Sequence, residues 1–247
     1  MPAAVETMAW TNEVPWHGLG VNVADNLSAA KMLKAASLDW NVTLEPLFLN
    51  SGVSANGFFG LTRDVDNKVL DVVGGRYVPT QNDEAFEFFK EFVESGKAKM
   101  ETAGSLMGGR IVWALANLGD AFSLKGGDKV KGYLLLILPH KKGKSIMVKF
   151  TTVRVVCMNT LAMALREEGK GEYRMSHRRV FKDDLHEEAK RTLGIARDQF
   201  DLFETNAKAL QAKTMNADEQ LRIAVELFQR DWVKETIPVM RERVEKD

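Results

Sequence analysis

Two apolar runs joined by a short cationic stretch constrain this chain more than any other feature. "KGYLLLILP" and "KSIMVKFTTVRVV" are each rich in leucine or β-branched residues, and each is long enough for a strand. The "HKKGK" between them is short enough to fold the second run back antiparallel to the first. A chain carrying such a hairpin has to build a sheet around it. With a repeat of two, Ile146, Val148, Phe150, Thr152 and Arg154 share one face. Met147, Lys149, Thr151, Val153 and Val155 share the other. The hairpin also concentrates charge. Lys141, Lys142, Lys144, Lys149 and Arg154 follow one another with no acid among them, in a chain whose 34 Lys+Arg and 34 Asp+Glu cancel.

The rest of the chain supplies the partners of that hairpin. "NLSAAKMLKAASL" predicts a short helix capped by Asn26 or Ser28. "WNVTLEPLFLN" and "FFGLTRD" predict strands joined by the glycine-rich "SGVSANGFFG", and Asp66–Lys68 a hairpin turn into "VLDVVGGRYVP". "TQNDEAFEFFKEFVESG" switches to helical spacing through Phe86, Phe89, Phe92 and Val93, with Thr80 or Asn82 as cap and Gly96 as stop. "KMETAGSL" and "RIVWALANL" read as strands around the "LMGGR" turn, and "LAMALREE" as a helix capped by Asn159 or Thr160. Residues 1–26 read as irregular, and helical spacing dominates from Asp183 onward. The expectation is an α+β fold: an antiparallel sheet with β-hairpins packed against helices, followed by a helical C-terminal region. The domain boundary is expected at 182/183, within the polar, basic "EEGKGEYRMSHRRVFKDD".

Charge is unevenly distributed. Residues 1–120 carry 9 Lys+Arg against 15 Asp+Glu, residues 121–182 carry 14 against 4, and residues 183–247 carry 11 against 15. A cationic middle between acidic flanks is compatible with an anionic partner, because local sign steers association. It is equally compatible with a solvated hairpin tip and a basic linker. No apolar run reaches the roughly 18 residues of a membrane span, and the start lacks the pattern of a signal peptide. Cys157 is the single cysteine, which excludes a disulfide framework and a cysteine-based zinc site. A cytoplasmic protein with no membrane partner is the expectation.

Catalytic signals are thin. No GxxxxGK[ST] occurs, and "VVGGRY" lacks the spacing of a dinucleotide site. His17, His140, His177 and His186 are not spaced like metal ligands. The acids of "DDLHEE" begin a helix, where they complement its dipole. Glu94, Lys97, Glu101 and Asp128 are the groups a magnesium-dependent nuclease would draw on, and nothing in their spacing requires it. Cys157 reads as a small core side chain. Neither an enzyme activity nor a cofactor is expected.

Nucleic-acid chemistry is better represented. Arg174, Arg178, Arg179 and Lys182 are interleaved with Tyr173, His177 and Phe181. Cations that track phosphates beside rings that stack on bases are what single-stranded nucleic acid requires. The candidate contacts are Lys141, Lys142, Lys144, Lys149 and Arg154 from the hairpin, with Arg178, Arg179 and His177 beyond it. Arg110, beside the "LMGGR" turn, is a secondary contact. Trp16, Trp40 and Trp113 read as core residues.

"PWHGLG", "GGRYVPTQNDEAFEFF", "ETAGSLMGGRIVWALA" and "RVVCMNTLAMAL", in this order, resemble the phage- and plasmid-encoded family known as domain of unknown function 932. The resemblance runs from Trp16 to about Leu165, with "MSHRR" as its continuation. It implies a bacteriophage, prophage or plasmid origin and carries no activity. A second resemblance concerns architecture alone: a strand–helix unit, consecutive hairpins and a packed helix are similar to the core of single-strand annealing recombinases of the Redβ- and RecT-like superfamily. That likeness implies an ATP-independent, metal-independent, ring- or filament-forming homo-oligomer that holds single-stranded DNA in a basic groove during recombination and repair. Phe200, Phe203, Phe228 and Trp232 of the C-terminal helices, together with sheet edges, are the expected protomer contacts. The rival expectations are a phage protein-interaction or host-takeover factor and the metal-dependent nuclease.

Overall fold

A computed structural model describes all residues except 1, 125–126, 128, 167–171, 179–184, 213–215 and 229–247. The described chain is a mixed α+β fold with two mostly antiparallel sheets. The hairpin lies in the larger sheet as β8 (Lys129–Pro139) and β9 (Ser145–Thr151). Around it stand β1 (Val5–Trp10), β2 (Val21–Asn22), β6 (Lys99–Leu106), β7 (Ile111–Ser123) and β10 (Glu172–Ser176). Their order is β10-β9-β8-β7-β6-β1-β2, antiparallel except for the β1–β2 pair. A second sheet, β3-β4-β5, is formed by Val42–Phe48, Ser54–Arg63 and Lys68–Gly74.

The unbroken "YLLLIL" run has a direct structural cause. Leu134, Leu136 and Leu138 enter one core, and Tyr133, Leu135 and Ile137 enter another. Both faces of β8 are covered, so no polar residue alternates along it. The first core packs the sheet against α1 (Ala29–Ala35), α2 (Asn82–Glu87), α3 (Lys90–Glu94) and the smaller sheet. The second core is closed by Val155, Val156 and Cys157 with Leu161 and Ala164 of α4 (Met158–Arg166).

Three expectations about local structure change. The helix expected over the phenylalanine cluster is two short helices, α2 and α3, that meet at Phe88–Phe89. All four phenylalanines are buried. A regular helix turns about 200° between Phe86 and Phe88, so it cannot bury both on one side. The start is also not irregular: β1 sits between β6 and β2 inside the sheet. And "EYRMS", read as part of a linker, is the edge strand β10.

Beyond β10 the chain forms α5 (Leu185–Gln211) and α6 (Ala217–Phe228). The chain divides into two units, Met1–Glu204 and Thr205–Asp247, a division that falls inside α5. Phe200 explains this. It is buried, with its ring 5.5 Å from Phe122 and 5.9 Å from Phe150 of the sheet. It is therefore a core residue and not a protomer contact. Trp232 lies outside the described residues. Among the described residues, no helix is long and apolar enough to cross a membrane.

Candidate nucleic-acid interface

Antiparallel pairing decides where the cations go. β9 begins at the 140–144 turn and runs away from it, so Lys149 lies about 16 Å along the strand from Lys144. Its side chain shares the face of Met147, 6% exposed, and Nζ donates to the carbonyl of Ala164 at 2.7 Å. Lys149 closes the C-terminal turn of α4 from inside the fold. It is not a phosphate contact on a groove.

Arg154 follows the far end of β9 and is also spent internally. Its Nε reaches Glu101 Oε1 at 2.8 Å, and Nη2 donates to the carbonyl of Thr11 at 2.8 Å. Glu101 is itself buried and takes Asn12 Nδ2 at 3.3 Å. Arg154, assigned by strand spacing to the face of Ile146, Val148 and Phe150, thus has a buried carboxylate as partner, and that pairing engages Glu101 within the fold. Glu94 lines a pocket of about 430 Å³ between α1, α2 and α3. Asp128 and the acids Asp183 and Asp184 lie outside the described residues. Among the described residues, no group of three or more His, Cys, Asp or Glu is arranged to hold a metal ion.

His177 is likewise not a surface ring. It is 4% exposed and stacks on Tyr77, with centroids 4.6 Å apart and planes 18° from parallel. Arg179 lies outside the described residues. Arg174 is held by Glu172 at 2.6 Å.

The remaining cations converge. Lys142 and Lys144 are exposed and Lys141 half-buried in the β8–β9 turn. Arg110 is exposed in the β6–β7 turn, which abuts the first: the His140 amide donates to the Arg110 carbonyl at 2.9 Å. Arg178 follows the end of β10, where Ser176 pairs with Ser145 at the start of β9. Exposed Arg76 joins them through two contacts. Its neighbour Tyr77 stacks on His177, and the Val78 amide donates to the His177 carbonyl at 2.8 Å. None of these six cations is in an ion pair among the described residues.

The acids at this end are largely engaged. Arg63 binds Glu6 through both Nη atoms at 3.0 Å and Asp66 through Nε and Nη2 at 2.9 and 2.6 Å. The Arg63 hydrogen bond holds the Asp66 carboxyl at about 2, below the usual carboxylate range. Asp71 accepts the Lys142 amide at 2.8 Å. The left-handed Met107, Gly108 and Gly109 make the β6–β7 turn tight, and a Cβ on Gly108 would collide with Lys68 Nζ.

The four stretches behind the family resemblance pack into two assemblies. In one, Thr102 Oγ1 donates to the Val155 carbonyl at 2.7 Å and receives the Trp113 indole N–H at 3.2 Å. His17 Nδ1 accepts the Leu19 amide, so Nε2 carries the proton and donates to the Val156 carbonyl at 2.9 Å. Trp113 is core as expected, whereas Trp16 is 66% exposed. Cys157 is buried at the start of α4; burial pushes its thiol up, but hydrogen bonds from the Thr160 amide and hydroxyl, the Asn159 backbone and the Trp16 side chain together lower it. The other assembly joins Tyr77 to His177 and Asn82 to His140, whose backbone amide holds the β6–β7 turn.

Arg76, Tyr77 and the internal role of His140 had no signal in the sequence. They become visible once β10 is placed at the sheet edge. The class of the molecule is now defined: a mixed α+β protein with antiparallel sheets and a cationic sheet end. It belongs to the family described as Domain of unknown function (DUF932), whose model matches residues 69–245. That segment contains three of the four motif stretches, and "PWHGLG" precedes it. No curated protein and no solved structure matches the chain.

Proposed function

We propose that this protein binds single-stranded DNA at the cationic end of its larger sheet and acts as an oligomeric, ATP-independent annealing protein of phage type. The observation that carries the reading is the convergence of Arg76, Arg110, Lys141, Lys142, Lys144 and Arg178 from four separate chain segments, while the acids nearby are occupied. Free cations on several turns suit an irregular phosphate backbone, and their side chains reach it without reading base edges. Binding is therefore sequence-tolerant. Self-association is supported by the β3–β4 hairpin, which exposes Phe48, Leu49 and Val53 at its tip and Phe58 along β4, beside edges of β3 and β5 that pair with no other strand among the described residues.

Fluorescence anisotropy with labelled oligo-dT tests the reading. With four to six phosphates neutralised, log Kd should rise with log salt at a slope of about 3 to 4. K142E/K144E should weaken binding at least about tenfold at low salt and leave the melting temperature unchanged, because neither side chain packs in the fold. No retention of oligo-dT at low salt by the full chain sinks the proposal.

A further inference from the structure

Beneath the cationic turns lies a buried polar group of side chains that the electrostatic reading does not use. Asn82 Nδ2 donates to the carbonyls of Leu38 and Trp40 at 2.9 and 3.2 Å, which leaves Oδ1 as its acceptor. His140 Nε2 meets that oxygen at 2.9 Å and must therefore carry the proton. Nδ1 of His140 is then a bare lone pair, fully buried and without a hydrogen bond. Both ring nitrogens of His177 also lack a hydrogen bond, as do Tyr77 Oη and Thr80 Oγ1.

A proton added to His140 Nδ1 would create a buried cation with no acceptor among the described residues, and one added to the His177 ring would have only the backbone at Pro139 and Val78 to offset its burial. The charged side chains that the surrounding elements bring are mostly cationic. β8 and its turn contribute Lys141, the residues after β10 contribute Arg178, the segment before α2 contributes Arg76, Tyr77 and Thr80, and α2 contributes Asn82. The loop before β3 contributes Trp40, 5.1 Å from the His140 ring, with the Arg63 guanidinium on that same indole at 5.3 Å. The β6–β7 turn contributes Arg110. Among the described residues, the carboxylate acting on this group is Asp71, which acts on Tyr77 and accepts the Lys142 amide. Burial and the neighbouring His177 draw His140 down to about 3. Burial lowers His177, and the backbone at Pro139 and Val78 offsets only part of this.

We propose that His140 and His177 form a proton-operated latch: while neutral they hold the Arg76–Tyr77 and Arg178 segments in place, and protonation releases both from the cationic end. The mechanics rest on the packing alone. The consequence, that acid weakens the grip on single-stranded DNA, rests on the function proposed above. It runs against simple electrostatics, because adding positive charge to a phosphate-binding surface tightens binding.

Two measurements on the full chain between pH 8 and 5 separate the parts. The first is hydrogen exchange at the Val78 amide, corrected for its intrinsic rate. Its protection should drop by up to about tenfold per pH unit below pH 6.5. The second is oligo-dT affinity, which should fall over the same range. H177F keeps the stack on Tyr77 and has no ring nitrogen to titrate. It should match the parent at pH 8 and reduce the pH dependence of both curves to the part that His140 carries. Protection that stays constant with pH, or an H177F variant that keeps the full dependence, overturns the latch. Affinity that tightens on acidification while protection falls breaks the coupling between latch and grip. A responsive latch in a chain that binds no oligo-dT at any pH supports the latch and removes the DNA reading.

Discussion

At the residue scale, identical charges have opposite roles. Lys142 and Lys149 are both hairpin lysines, but only Lys149 is inside. K149M keeps the packed stem and leaves the Ala164 carbonyl without its donor. It should cost about 1–3 kcal/mol in denaturant unfolding, in contrast to the neutral K142E/K144E. Arg154 and Glu101 form a buried pair, so R154M should cost about 3–5 kcal/mol by stranding the carboxylate. A double-mutant cycle with E101Q should recover part of that loss, and strict additivity would show that the pair is not coupled. His140 gives the pH dependence of the fold. Its folded value is depressed, so its contribution is complete above the unfolded value near 6.5 and is lost as pH falls toward 3. Stability should therefore decline by about 2 kcal/mol from this histidine between pH 6.5 and 5, read from urea midpoints with an unchanged m-value.

At the element scale, side chains fix how helices meet sheets. Gln81, not Thr80 or Asn82, stands at the N-terminus of α2. Its amide also clamps β3, with Oε1 taking the Val42 N–H at 2.8 Å and Nε2 donating to the Val42 carbonyl at 3.0 Å. Q81E keeps the size and loses the donor, so it should destabilise by about 1–3 kcal/mol. An unchanged melt would mean that the clamp contributes nothing. Strand spacing and turn residues made β3, β5, β6, β7 and the β8–β9 hairpin legible in the sequence. β10 was not, because "EYRMS" is an edge strand with one buried residue and no alternation to read. The split of α2 from α3 was hidden for a related reason: each phenylalanine fits a helix locally, and only shared burial forces the break.

At the scale of the whole molecule, the cationic block of the sequence is real but is not one surface. Antiparallel folding sends its members to both ends of the sheet and into the interior. Lys141, Lys142, Lys144 and Arg178 stay together at one end, joined by Arg76 and Arg110 from outside the block. Lys149 and Arg154 become structural, and His177 becomes a core ring. Composition and periodicity by themselves determined the α+β class, the hairpins and the apolar core, and the four motif stretches carried the family resemblance, because these depend on residues near each other in the chain. Only the tertiary structure decided which charges face water, which histidines are buried together and which turns meet. Those outcomes depend on strand order and pairing direction, which bring together residues far apart in the sequence.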